Sequence, residues 1–223
     1  MTRIKSTFSK LCTPILLSGC NTIQTPTQDT PIVMVHGIFD DGESFGFLKT
    51  RLQQAGYKCL APDLTPNNGK NGLNPLAKQL DNYIKDELGE KTDFHLLGYS
   101  MGGLIARTYL KDSNNRQYCQ SLTTLASPHH GTKLAHIYPL QAGIEMRPDS
   151  AYLKKLNGNQ NSYHQNTLSI RTPYDGVIIP SRSSVLKGAN NKSFHTPSHP
   201  SLLMSRRVTK IILDHLEGTS SNN

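Results

Sequence analysis

Gly98-Tyr99-Ser100-Met101-Gly102 lies between an apolar run that reads as a strand, Phe94 to Gly98, and an amphipathic run that reads as a helix, Met101 to Leu110. A serine in that setting allows few folds. The reversal from strand to helix is so tight that a side chain at either glycine meets neighbouring backbone, and the serine between them is held strained with its hydroxyl projecting. Gly103 extends the close helix contact. A glycine-rich turn around a phosphate is the competing reading. It fits poorly, because no Lys-Ser or Lys-Thr follows and the Gly-x-Gly-x-x-Gly spacing is absent. Ser100 is therefore the candidate nucleophile.

From Pro31 onward short apolar runs alternate with longer amphipathic ones, the pattern of βα units on a mostly parallel sheet. At 223 residues, 35% of them apolar and 18% charged, the chain suits one such domain, and neither disorder nor a coiled coil fits. Strands are expected at Ile32 to His36, Tyr57 to Ala61, Phe94 to Gly98, Ser121 to Ala126 and Thr167 to Arg171. The first helix is expected over Ser44 to Ala55, with Phe45, Leu48 and Leu52 on one stripe. The second starts at Pro75, capped by Asn74, and stops before Gly89; the third covers Met101 to Leu110. The last covers Ser201 to Leu216, with Val208, Ile211, Ile212 and Leu216 facing inward. Lys133 to Gln165 has the weakest periodicity and reads as a small cap of loops and short helices. The domain is placed at residues 31–217, with 218–223 a flexible polar tail.

A serine hydroxyl is a poor nucleophile at neutral pH and needs a base, which a carboxylate must orient. Between Ser100 and His199 the aspartates are Asp112, Asp149 and Asp175. Asp112 ends the helix after the serine, on the wrong side of the sheet, and Asp149 falls in the cap. Asp175 stands four residues after a strand, at the carboxyl end where ligands collect; its plain alternative is an Asp-Gly turn. His195, His199 and His215 all follow Asp175. His215 falls near the far end of the final helix, remote from the strand ends. His199, on the loop just before that helix, is the preferred base, and His195 stays open as the alternative. The backbone N–H groups of Ile38 and Met101 are assigned to an oxyanion hole. His36, beside Gly37 at a strand end, reads as a hydrogen-bonding structural residue. His129 and His130, in Ser127-Pro128-His129-His130-Gly131-Thr132, read as turn residues on the site wall. Adjacent histidines point apart and no Cys, Asp or Glu accompanies them at ligand spacing, so no metal is assigned.

Four segments occur in family order: Val35-His36-Gly37-Ile38, Gly98 to Gly103, Asp175-Gly176-Val177-Ile178 and His199-Pro200-Ser201-Leu202-Leu203. They resemble the α/β-hydrolase superfamily, specifically its minimal bacterial lipases and esterases, from Pro31 to Leu216. The Ser127 to Thr132 run is also similar to a segment of related lipases and lipid-remodelling hydrolases. The resemblance implies a compact, mostly parallel sheet of about six strands flanked by helices, with a small cap. It also implies a carboxylic-ester hydrolase of the lipase or esterase kind, without a cofactor. Ser100 would attack the acyl carbonyl, His199 move the proton and Asp175 hold His199 through an acyl-enzyme cycle. Acyl transfer on the same triad and a catalytically inactive envelope lipoprotein are the alternatives. The superfamily's strand order sets Cys59 and Cys119 three strand spacings apart, about 14 Å, too far for a disulfide. The tract from Lys133 to Gln165 departs from the smallest members by its length, so their open, lidless site does not carry over.

The first residues carry a separate signal. Arg3, Lys5 and Lys10 precede the weakly apolar Leu11 to Leu17, and Leu17-Ser18-Gly19-Cys20 sets small residues before a cysteine. This resembles a bacterial lipoprotein signal over residues 1–19. It implies a lipidated Cys20, a polar tether over 20–30 and attachment to the cell envelope without a spanning helix, with Asn21 pointing to the outer membrane. The three leading cations belong to a net charge of +8; the others are spread along the chain without interleaved aromatics, so no nucleic-acid partner is expected. The expected partners are an ester or lipid substrate and a membrane, with the chain a monomer.

Overall fold

The computed structural model describes residues 28–158 and 166–220. The expected signal at 1–19, the lipidation at Cys20 and residues 21–27 of the tether lie outside the described residues, as do 159–165 of the cap and 221–223 of the tail.

Strands with two apolar faces explain the layering. β1 (Gln28–Val35) sends Ile32 and Met34 to one side and Val33 and Val35 to the other, all fully buried, as a period of two requires. It is joined by β2 (Tyr57–Leu60), β3 (Phe94–Tyr99), β4 (Cys119–Leu125), β5 (Thr167–Arg171) and β6 (Asn190–Ser193). Every pairing is parallel, in the order β2-β1-β3-β4-β5-β6. α2 (Leu73–Leu88) and α3 (Met101–Asp112) cover the face carrying Val33 and Val35, through Leu76, Leu80, Ile84, Leu104 and Ile105. α1 (Gly46–Gln54), α6 (Ser201–Met204) and α7 (Arg206–Ser220) cover the other face, through Leu48, Leu52, Leu202, Val208 and Ile212. Each of these buried Leu, Ile or Val side chains contributes about 1.5–3 kcal/mol of transfer free energy. Among the described residues the cap contains α4 (Gln141–Glu145), α5 (Ala151–Asn157) and a tight turn at Lys133–Ile137.

Several local expectations are revised. β1 begins at Gln28, whose N–H reaches the Gly56 carbonyl at 3.1 Å, so residues 28–30 belong to the sheet and not to a tether. α2 begins at Leu73 instead of Pro75. Its cap comes from the distant Glu145, whose carboxylate accepts the Leu73 N–H at 2.7 Å and places negative charge at the positive end of the helix. The final helix is two helices. The Ser205 hydroxyl accepts the Val208 N–H and its carbonyl the Thr209 N–H, so Ser205 starts α7, which continues through residues 218–220 of the expected tail. β6 escapes the sequence pattern because all four of its residues are polar and exposed. Pairing to β5 holds it, together with Asn191, whose side chain bonds both the N–H and the carbonyl of Leu186. Cys59 on β2 and Cys119 on β4 are separated by β1 and β3; burial pushes their thiols up to about 11 and about 12.

The tightest packing is at the strand-to-helix reversal. A β-carbon on Gly102 would lie 2.0 Å from the Val35 carbonyl oxygen, and one on Gly98 would lie 2.5 Å from the Gly103 α-carbon. Both obstacles are backbone and neither can rotate away. Gly102→Ala is accordingly expected to lose about 3 kcal/mol or more of stability. Urea unfolding of the purified variant checks this; a loss below about 1 kcal/mol contradicts it.

Candidate active site

Ser100 follows β3 directly and opens α3 with φ 54° and ψ −123°, a conformation that costs a residue with a β-carbon about 1–3 kcal/mol. Its neighbours hold it there: the Ser100 N–H donates to the Leu125 carbonyl at 2.8 Å, and the Ser100 carbonyl accepts the Gly103 N–H at 3.1 Å. Met101 is the first helical residue, so its N–H has no acceptor within the helix. Ile38 comes from the loop after β1, the strand beside β3. That loop is braced by Asn67, whose carbonyl accepts the Phe39 N–H and whose side-chain amide donates to the Asp40 carbonyl, both at 3.0 Å. The two expected oxyanion donors thus lie just beyond the carboxyl ends of adjacent strands, Ile38 on a loop and Met101 at the start of α3.

Asp175 and His199 meet. Asp175 Oδ2 lies 2.8 Å from His199 Nδ1, while Asp175 Oδ1 accepts the N–H groups of Val177 and Ile178 at 2.9 and 2.8 Å. The Asp-Gly turn and the carboxylate role are therefore one structure. An ionised Asp175 makes Nδ1 the protonated nitrogen, leaving Nε2 as the basic one. The loop bearing His199 is tied to β5 by the Thr172 hydroxyl, which donates to the Thr196 carbonyl at 2.6 Å, and closed on itself between Ser198 and Ser201. The His199 ring packs on Tyr99, centroids 4.9 Å apart. His195, the alternative base, is exposed and packs edge-on against Tyr174, not against Asp175. Asp112 and Asp149 are exposed and stand away from this pair, at the end of α3 and in the cap.

His36 is a strut. Its Nε2 accepts the Leu64 N–H at 2.9 Å, which leaves Nδ1 to donate to the Gly37 carbonyl at 2.8 Å. His129 is not a wall residue as the sequence suggested: it is fully buried beside Arg107, itself wholly inside α3. A directed chain runs from Arg107 Nη1 to His129 Nδ1, from His129 Nε2 to the Thr124 hydroxyl, on to Ser169 and finally to the Ser184 carbonyl. Burial, and then the charge of Arg107, hold His129 well below its ordinary pKa, so it stays neutral. Asn157 of α5 completes the node, accepting from Arg107 and donating to the His129 carbonyl. The signal for this node is that Arg107 is the one charged residue in the run from Met101 to Leu110.

Thr132 is a second residue that the sequence reading passed over. Its hydroxyl donates to the Val177 carbonyl at 2.7 Å and accepts the N–H groups of Ile179 and Leu134 at 2.9 and 3.3 Å, pinning the Asp175 turn to the base of the cap. Beside it opens an apolar groove of about 240 Å³, lined by Ile38, Phe39, Leu134, Ile137, Tyr138 and Val177 among others. Among the described residues, no group of three His, Cys, Asp or Glu side chains is arranged to hold a metal ion, and no helix is long and apolar enough to cross a membrane.

A family model described as alpha/beta hydrolase fold matches residues 30–192. The chain is 27% identical over 130 residues to the lysosomal thioesterase PPT2 homolog of Drosophila melanogaster, covering 55% of this chain and 45% of that protein. It is 30% identical over 107 residues to lysosomal thioesterase PPT2 of Mus musculus, covering 45% and 34%. The chain thus spans less than half the length of these curated relatives. Among solved structures, the mature lipase BlEst2 of Bacillus licheniformis superposes with a TM-score of 0.69 at 17% identity, over 85% of this chain and 94% of that one. That likeness is one of fold: a parallel six-stranded sheet between helical layers.

The Thr132 clamp yields a stability test. Thr132→Val leaves the Val177 carbonyl and the Ile179 N–H without their partner, an expected loss of about 1–3 kcal/mol. Thr132→Ser keeps the hydroxyl and is expected to lose less than about 1 kcal/mol. A larger loss in Thr132→Ser than in Thr132→Val, measured by urea unfolding, would show that packing of the methyl group, not the clamp, is what matters.

Proposed function

The chain belongs to the alpha/beta hydrolase fold family, and from that premise we propose that it is a serine hydrolase of carboxylic acyl esters, with thioesters within its range. The observation that carries this is the 2.8 Å contact between Asp175 and His199, which turns Nδ1 to the carboxylate and leaves Nε2 to take a proton. Ser100, strained at the elbow, is the nucleophile. As Oγ bonds to the acyl carbon, its proton passes to His199 Nε2, and the carbonyl oxygen becomes an anion received by the N–H groups of Ile38 and Met101. The carbon–oxygen or carbon–sulfur bond to the leaving group then breaks, and the leaving group takes the proton from Nε2. Water repeats the sequence on the acyl-enzyme. The apolar groove that includes Ile38 suits the acyl chain, with Ala135 and Met146 buried in its lining and Phe39 and Ile137 exposed. The names of the similar proteins, thioesterase and lipase, agree with acyl chemistry. We include in the proposal the leader read from the sequence: a lipid on Cys20 would anchor a minimal bacterial lipase-like domain to the cell envelope.

Ser100→Ala is expected to remain folded and to lose roughly four to six orders of magnitude in kcat on p-nitrophenyl esters if chemistry limits the rate. A variant retaining a tenth of the activity overturns the assignment. Comparing oxygen esters and thioesters of one acyl group measures how far the range extends.

His199→Ala is expected to abolish both turnover and labelling by a fluorophosphonate probe, whereas His195→Ala keeps at least about a tenth of the rate. The reverse result moves the base to His195. For the leader, mass spectrometry of membrane-extracted protein is expected to find a chain that starts at a lipidated Cys20; an unmodified Met1 ends that part of the proposal.

A further inference from the structure

A second carboxylate stands beside the nucleophile. A β-carbon built on Gly37 would lie 2.7 Å from Asp40 Oδ2, 3.2 Å from Ser100 Cβ and 3.3 Å from Tyr99 Cδ1. The Asp40 carboxylate, the nucleophile's own β-carbon and the ring beneath His199 therefore gather around one face of one glycine. The loop is set to keep it there: the Asp40 N–H returns to the Gly37 carbonyl at 3.4 Å, and Asn67 holds its carbonyl.

The charged and titratable groups that act on Asp40 are His36, His199 and Asp41, together with a backbone hydrogen bond from Gly37. Two of the three are committed elsewhere. Asp41 is exposed and accepts the Glu43 N–H, and His36 has both ring nitrogens engaged, by Leu64 and by Gly37. Protonating His36 on Nε2 would break the bond from Leu64. His199 is the group left free to gain a proton. It faces Asp175 and the Tyr99 ring and feels the charge of Asp40, and the phenol of Tyr99 is subject to the fields of both carboxylates. Burial raises the Asp40 carboxyl above its ordinary value, and the attraction of His36 and His199 offsets part of that rise.

We propose that Asp40 is a positioning residue of the active site, whose negative charge adds to that of Asp175 in favouring the His199 imidazolium formed when Ser100 gives up its proton. It exchanges no proton itself. The proton travels from Oγ to Nε2 and on to the leaving group, while Asp40 lowers the cost of the charge that resides meanwhile on the ring. The inference rests on the serine-hydrolase reading above.

The test is the pH dependence of kcat/KM on a neutral ester, p-nitrophenyl butyrate, for the full chain. Removing the anion makes the imidazolium less stable, so in Asp40→Asn the midpoint of the acid limb is expected to fall by about 0.5–1 pH and the plateau by roughly three- to tenfold. Asp40→Glu, which keeps the charge, is expected to stay near wild type in both. An unchanged or raised midpoint in Asp40→Asn overturns the proposal, as does an equal loss in the Asn and Glu variants, which a merely structural loop residue would give. If Asp40→Asn does not fold, Asp40→Ser is read in the same way. Histidine titration by NMR in the Ser100→Ala background, with and without Asp40→Ser, then reports the His199 midpoint without turnover. Full activity in Ser100→Ala sinks the hydrolase reading itself; an inactive Ser100→Ala together with an unmoved midpoint sinks only Asp40.

Discussion

The start of α3 lies against the end of β1 with no room between them for a single carbon atom, since any β-carbon at Gly102 would meet the Val35 carbonyl. From that contact the geometry of the site follows. Because the helix is drawn in so far, Ser100 and the first helical residue, Met101, stand at the carboxyl end of β3, next to the strand whose following loop carries Ile38. Gly103 extends the approach to the other neighbour, where a β-carbon would meet the Ser127 hydroxyl 2.0 Å away. The segment after β4 is thereby drawn to the same place. It passes the constraint on through Thr132 to the Asp175 turn, and Thr172 ties the end of β5 to the loop of His199.

The elbow is legible in the sequence because its cause is local steric crowding written into five consecutive residues. The apolar strands are legible for a similar reason, since β1 and β3 to β5 are short runs that can be buried on both faces. Asp175 and His199 follow from where they fall relative to strand and helix. What stays hidden depends on partners distant along the chain. α2 begins two residues before Pro75 because Glu145 waits at its end, and β6, Asn-Asn-Lys-Ser, is a strand only because β5 offers it an edge. Asp40 lies in the open in the run after His36-Gly37, but only the fold shows that its carboxylate turns back over Gly37.

The chain of donors from Arg107 has a different kind of importance. A buried guanidinium is costly unless its N–H groups find acceptors. Two of those acceptors are neutral, the side chains of His129 and Asn157, and the second belongs to the cap. Since His129 stays uncharged, the direction of the chain does not reverse on mild acidification. The cap is thus fastened by Asn157 to the His129 carbonyl, by Glu145 of α4 to the first N–H of α2, and at Gly69, whose carbonyl accepts the Ala142 N–H. The wall of the apolar groove is in this way part of the folded body.

A sheet whose strands all run one way has a front and a back. Ser100, the Asp175 turn and the loop of His199 are all at the front, where the strands end; Gln28 and Tyr57, where β1 and β2 begin, are at the back. Whatever precedes Gln28 is joined at the back, the length of β1, about 25 Å, from the chemistry. A body gripped by that end is held like a lamp by its stem. Anything that holds the chain by the residues before Gln28, the proposed lipid at Cys20 included, holds it at the end of the sheet opposite the site.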